Sequence, residues 1–290
     1  MAIVLGDNRY GKAEVRVVRV DRSGDTHTLR DLNVSVALSG EFAAVHLTGD
    51  NAAVLTTDAQ KNTVFAFARE HGVASPEEFG LRLARHFVGS QPAVRRARVT
   101  VEEYAWDRVP VTGHSFVRRG GEIRTVRVTH DGSATHVVAG LRGLTVLNST
   151  GSEFRGYVKD AYTTLPETLD RVLATEVHAE WRHLSPTASP EAPWDASFTE
   201  VRRLLLETFA GTYSRSLQQT LYAMGRRVLE ECPGLGEIRL SMPNRHHFLA
   251  DLEPFGLDNP GAVFYAADRP YGLIEGTVLR DDAPPAEEAW

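Results

Sequence analysis

The chain has 290 residues, 42% of them hydrophobic and 24% charged, an ordinary balance for a globular protein with one large or two medium domains. A net charge of −6 excludes the basic balance expected of a nucleic-acid binder, and no apolar stretch approaches the roughly twenty residues of a membrane span. The single cysteine, Cys232, cannot form an internal disulfide, so a reducing compartment is expected.

Taken in order, Ala13, Val15 and Val17 alternate with Glu14 and Arg16, the period of a half-buried strand. Asp21 to Asp25 reads as a turn. Leu32, Val34, Val36 and Leu38 then face one way and Asn33, Ser35 and Ser39 the other, before a turn at Gly49–Asn51. Thr57–Asp58 opens a helix with Val64, Phe67, Ala68 and His71 on one face, ending at Gly72. Ser75, Pro76 and Glu78 give the next helix a cap, a first-turn proline and a capping box; Phe79, Leu83 and Phe87 form its apolar stripe. Strands return over about 93–106. A hairpin around Gly120–Gly121 leads to a strand with Val126 and Val128 inward, closed by Asp131–Gly132.

The same plan then recurs. Strands are expected over about 135–147 and 174–182, and in the second Thr175, Val177, Ala179 and Trp181 alternate with charged or histidine side chains. A proline-rich connector covers 185–194. One helix groups Val201, Leu204, Leu205 and Thr208 and ends near Gly211; another follows Ser216 with Leu217, Leu221, Met224 and Val228 in line. Strands centred on Leu240, Phe248, Val263 and Leu279 complete the pattern. The acidic, proline-bearing tail from Asp281 to Trp290 is expected to be disordered. Two rounds of strands, two helices and strands predict an α+β chain with an internal duplication, its units at 1–134 and 135–281 and the tail at 282–290. Four-stranded antiparallel sheets with helices on one face leave edges open, and hiding those edges by pairing predicts a homo-oligomeric barrel.

The run from Leu144 to Arg171 begins as a strand, breaks into a Ser/Thr/Gly loop, presents Phe154 and ends on Arg171. A phenyl face and a guanidinium at fixed separation suit a flat anion, stacked on the first and gripped by the fork of the second. Taken alone, the two read as a core phenylalanine and a surface ion-pairing arginine. Lys12 follows Gly11 at a strand start, where lysine is ordinarily solvated; buried beside an anion it could lose its proton and act as a base. Thr57 stands at a helix N-terminus, whose free N–H groups favour an anion, although a simple cap threonine occupies the same place. Gln218 lies one residue off its helix's stripe and alone reads as a polar flank. The histidines offer no H-x-H or H-E-x-x-H spacing, so no metal site is expected. No glycine-rich phosphate loop is present, and Cys232 reads as a core residue.

Together these stretches resemble the urate oxidase (uricase) family. The S-T-x-S-x-F core falls at Ser149, Thr150, Ser152 and Phe154 and continues through Tyr157, Tyr162, Leu165 and Arg171, with Asn148 where the family usually has lysine. Val54 to Asn62 (VLTTDAQKN) resembles a second family motif. Ser216 to Tyr222 resembles the segment whose glutamine meets the ring edge of urate, with Leu217 in place of valine. Ser241 to Phe248 (SMPNRHHF) resembles a fourth.

The resemblance runs from Tyr10 to about Arg280 and implies two tunnelling-fold (T-fold) repeats per chain. It implies a homotetramer around a tunnel, with active sites at subunit interfaces. Separately, the excess of arginine, alanine and valine over lysine points to a bacterial source, and the lack of a signal peptide or Ser-Lys-Leu address leads to the expectation of a cytoplasmic protein. The implied reaction converts urate, dioxygen and water to 5-hydroxyisourate and hydrogen peroxide without cofactor or metal. The roles it implies place urate on Phe154 between Arg171 and Gln218, with contacts from the Thr57–Asp58 turn and the Leu217 backbone. Lys12 and Thr57 form a proton-abstracting dyad, Asn244 stands at the dioxygen site and His246 in the proton relay; no role is expected for His247. Two alternatives stay open. One is a different T-fold enzyme acting on a pterin or another purine, although such relatives generally anchor the ring with a glutamate and often use zinc. The other is a purine binder without activity, which would have no use for a base.

Overall fold

This computed structural model describes residues 1–188 and 193–290, so part of the connector expected over 185–194 lies outside the described residues. Alternating apolar residues build β1 (Tyr10–Asp21) and β2 (Thr28–Gly40), and Val15, Val17, Leu32, Val34, Val36 and Leu38 all point to one buried side. A six-residue helix, α1 (Ala43–Thr48), follows; it is too short for a period to register in the sequence. α2 (Thr57–Glu70) packs on β1, and α3 (Pro76–Ser90) packs on β3 (Val94–Tyr104) and β6 (Ile123–His130). Between those two strands a small hairpin, β4 (Trp106–Arg108) and β5 (Phe116–Arg118), forms a sheet of its own. The Ser75 hydroxyl accepts from the Glu78 N–H as expected. The Glu78 carboxylate does not close the capping box but turns to Arg82 one helical turn on.

The second half is β7 (Thr135–Asn148), β8 (Leu173–His183), α4 (Trp194–Gly211), α5 (Leu217–Glu231), β9 (Leu235–Leu249) and β10 (Phe264–Leu279). β6 and β7 pair as a hairpin, so the two expected sheets are one, antiparallel and eight-stranded, in the order β1-β2-β3-β6-β7-β8-β9-β10. Two apolar cores lie side by side on the helix-bearing face, one under α2 and α3, the other under α4 and α5. Among the described residues no helix is long and apolar enough to cross a membrane.

Where the cores meet, Arg124 on β6 is 7% exposed; one terminal nitrogen donates to both oxygens of Glu77 (2.9 and 2.6 Å), and the other pairs with Glu103 and with Asp195 in the first turn of α4. Removing one member would leave Glu77, only 1% exposed, as an unpaired buried charge. Arg124→Leu is therefore expected to destabilise the fold by about 3–5 kcal/mol, read from the urea midpoint. The double substitution Arg124→Met with Glu77→Leu is expected to recover much of that loss, since Arg30 still pairs Glu103 and Asp195.

Three expectations are corrected. The strands centred on Leu240 and Phe248 are the single strand β9. Pro243, lacking an N–H, interrupts the ladder to β8 between Thr175↔Asn244 and His178↔Ser241, yet pairs with Leu273 on its other side. The strands centred on Val263 and Leu279 are likewise one, β10, carrying an irregularity between Ala267 and Gly272. Third, the tail is ordered. Ala289 is 1% exposed, Glu288 pairs with Arg96, Arg98 donates to the carbonyls of Glu288 and Trp290, and the Arg239 guanidinium lies 3.7 Å over the Trp290 ring. These arginines alternate with core residues of β3 and β9 and so line the helix-free face. Composition registers the tail's charge but not the cations waiting on that distant face.

Candidate active site

The loop after β7 is held by short backbone ladders rather than by a core of its own. Ser152 bridges to Ser214, through Glu153 N–H to Ser214 O (2.8 Å) and Ser214 N–H to Gly151 O (3.0 Å). Phe154 and Thr168 exchange N–H···O bonds (2.9 and 3.1 Å), and the Arg171 N–H donates to Ser152 O (2.9 Å). These bonds bring Phe154 and Arg171, seventeen positions apart, into contact: the guanidinium carbon lies 5.3 Å from the phenyl centroid. Tyr157 stacks on the same ring, centroids 5.0 Å apart with planes at 16°. Asn148 donates to the Phe209 carbonyl near the end of α4 (3.0 Å), a scaffold bond away from the aromatic face.

Asn244 and His246 come from β9, on the face that upstream carries Ile238, Leu240 and Met242 into the core. They, Phe154 and Arg171 line one cavity of about 510 Å³, whose wall is extended by Ser149 and Phe248. The irregularity in β10 falls beside them, between the partners of His246 and Asn244, where such bulges re-aim neighbouring side chains. His247, expected to face away, also reaches the cavity wall, with its Nδ1 against the Arg245 carbonyl (3.0 Å). Gln218 stands exposed in the first turn of α5. There Ser216 caps the helix by accepting from the Gln219 N–H (3.2 Å), and Leu217 is anchored in the core at 2% exposure.

Most basic side chains around the fold carry ion pairs, but these groups do not. Among the described residues Arg171 has no carboxylate partner; its Nε donates to Ser152 Oγ (3.3 Å), and its two terminal nitrogens are unpaired. The side-chain amides of Gln218 and Asn244 and the ring nitrogens of His246 also lack hydrogen-bond partners there. In the cavity a face, a fork, the Asn244 amide and an imidazole with free hydrogen-bonding capacity suit a flat, polar, anionic ring; Gln218, on α5, does not line it.

The remaining candidates lie elsewhere. Lys12 is on β1, where Gly11 is required because a Cβ would sit 1.8 Å from the Val36 carbonyl oxygen. The register then shifts between Lys12 and Val15, with Glu14 at φ 56 and its N–H on Ser35 Oγ (3.0 Å). The Tyr10 hydroxyl donates to the Leu55 carbonyl (3.0 Å), drawing the start of α2 against the start of β1. Thr57 is the first residue of α2 and not its cap: Thr56 accepts from the Ala59 N–H, and among the described residues the Thr57 hydroxyl has no hydrogen-bond partner. The Asp58 carboxyl sits below its ordinary value, chiefly through its hydrogen bond to Lys61 and in small part through the charge of Lys12, so Lys12 and this helix start share one corner. That corner is six strand spacings from β9, about 29 Å along the sheet at about 4.8 Å per strand. Lys12 and Thr57 do not line the cavity of Phe154, Arg171, Asn244 and His246 in the same chain.

Burial, and secondarily the charge of Arg171, holds the His246 imidazole below its ordinary value, which favours its neutral form. Removing the neighbouring cation must raise that value. In Arg171→Gln the His246 ring is expected to titrate at higher pH than in the parent protein, by NMR of the imidazole; an unchanged midpoint would uncouple the two groups. Burial, aided by Glu200 and Glu231, pushes the Cys232 thiol up to about 11, so it is not a ready nucleophile. No three His, Cys, Asp or Glu side chains among the described residues converge as a metal site.

Sequence reasoning passed over Ser214 and Thr220, both fully buried beside the loop. Their signal was available: Thr220 is a polar residue on the stripe of Leu217, Leu221, Met224 and Val228.

Comparison with known proteins adds to this geometry. The family model described as Uricase matches residues 8–129 and 137–275. The uricase of Arthrobacter globiformis is 52% identical over 288 residues, covering 99% of this chain and 94% of that protein. The uricase of Dictyostelium discoideum is 38% identical over 284 residues, covering 95% and 97%. The crystal structure of the Arthrobacter globiformis uricase superposes with a TM-score of 0.95 over 100% of this chain and 99% of that one.

Proposed function

The chain belongs to the uricase family and catalyses the oxidation of urate, and from that premise we propose how its residues divide the work. Urate lies flat on Phe154, with Arg171 gripping one edge and the Gln218 amide matching the donors and acceptors of the other. The backbone at Leu217 and at the Thr57–Asp58 turn makes further contacts. Lys12, acting through the Thr57 hydroxyl, removes a proton. The electron-rich dianion passes two electrons to dioxygen beside Asn244, and water then adds to the oxidised ring while His246 moves protons. In sum, urate, dioxygen and water give 5-hydroxyisourate and hydrogen peroxide, in a sequence that calls on no cofactor.

The observation that carries this reading is the pairing of polar groups that lack partners among the described residues with their separation. Arg171, Gln218, Asn244 and His246 stand at one end of the sheet, and Lys12 and Thr57 at the other. Neither half suffices for the chemistry, so a second copy supplies Lys12 and Thr57. Exposed apolar residues on β10 and the preceding loop, including Phe255, Leu257, Tyr265 and Leu273, support a subunit contact at that end. Repeats at 1–134 and 135–281, assembled as a cytoplasmic homotetramer around a barrel, complete the reading.

Ultraviolet loss of urate by metal-stripped protein, with peroxide assayed in parallel, tests it. Matched loss and gain are expected. Tight binding of urate without turnover would overturn the assigned roles.

A further inference from the structure

We propose that the buried hydroxyls of Thr220 and Ser214, with Ser152 beside them, form a positioning device that sets the gap between Arg171 and Gln218 and hence the ring the clamp prefers. This rests on the reading of Arg171 and Gln218 as the two arms of a clamp.

Ser152, Ser214 and Thr220 are each 0% exposed. A buried hydroxyl is unfavourable unless bonded, and an apolar side chain of similar shape would avoid that cost. Here the bonds run from one arm to the other. Thr220, three residues after Leu217 on the inward face of α5, donates to Ser214 Oγ (2.8 Å), and Ser214 donates to the Ser216 carbonyl at the helix cap (3.1 Å). The Ser214 backbone is laddered to Gly151 and Glu153. Ser152, between those two, receives both the backbone N–H and the Nε of Arg171 (2.9 and 3.3 Å). Occupying Nε orients the guanidinium plane and turns its terminal nitrogens outward. The path from Arg171 through Ser152, Ser214 and Thr220 to the helix of Gln218 thus contains hydrogen bonds and backbone, with no exposed side chain whose rotamer could drift.

None of the three touches the ring in this arrangement, so each acts through Arg171 or Gln218. Thr220→Val keeps the shape and removes the donor, whereas Thr220→Ser keeps the donor. Thr220→Val is expected to raise KM for urate about tenfold while kcat changes less than about threefold. The preference for urate over xanthine, which lacks the C8 oxygen, should fall by a similar factor in inhibition assays. Thr220→Ser is expected to restore both values, which a purely structural role would not require. Identical constants for the valine and serine variants, or a loss of kcat at unchanged KM, would overturn the proposal.

Ser152→Ala gives a second route that leaves α5 untouched, should the valine variant fail to fold. It is expected to shift KM and selectivity in the same direction, and no shift would again overturn the proposal. Arg171→Ala run alongside separates the failures. If it leaves KM unchanged, the clamp itself is wrong; if it alone raises KM, only the positioning role falls.

Discussion

Arg171→Ala is expected to weaken urate binding by about 10²- to 10³-fold, the cost of about 3–4 kcal/mol for losing a charge-assisted, two-pronged contact in a partly dry site. The guanidinium is half-buried, and burial draws its value below the arginine norm without neutralising it. Among the described residues no carboxylate compensates it, so an anion is the natural partner for its terminal nitrogens. The fold should survive, because the backbone bond from residue 171 to Ser152 remains and only one side-chain bond is lost. Arg171→Lys restores charge without the planar fork and is expected to recover only part of the affinity. Anaerobic titration with urate measures binding without turnover. An affinity within about threefold of the parent would remove Arg171 from the clamp.

Lys12→Ala should act on rate instead. A base that works mainly in the transition state contributes about 10²–10⁴ in kcat, with much smaller changes in substrate affinity. Thr57→Ala is expected to fall in the same range, and the double variant to lose little more than either single one, since the two pass a single proton. The separation of Lys12 from Arg171 adds a sharper test. A copy with Lys12→Ala retains its Arg171 end, and a copy with Arg171→Ala retains its Lys12 end. Coassembly of the two should regain roughly a quarter of parental activity, because random mixing of copies in a two-fold interface makes that share of sites intact. No activity above that of the separate variants would mean that each site is built within one chain.

Much of the fold was legible because its patterns are local. Leu32 to Leu38 and Thr175 to Trp181 alternate on strands with one buried face, and Ser75–Pro76 marks a helix start by its own hydrogen-bond chemistry. The same locality explains the misses. At the start of α2 two adjacent threonines compete for the cap, and only the backbone geometry shows that Thr56 takes it. β9 continues through Pro243 because its neighbour β10 pairs with that residue, a fact held in another part of the chain. The tail is ordered by Arg96, Arg98 and Arg239, nearly two hundred residues away for the first two.

By itself the sequence determined the periods of the strands and helices and the stock of functional groups: an aromatic face, a fork, amides, an imidazole, a lysine and a threonine at helix and strand ends. The tertiary structure alone decided where these stand. Strand order is a matter of long-range pairing, which joins β6 to β7 and so sends Lys12 and His246 to opposite ends of one sheet. The buried hydroxyls of Ser152, Ser214 and Thr220 meet for the same reason, since a hydrogen bond between distant residues is made only when folding brings them together.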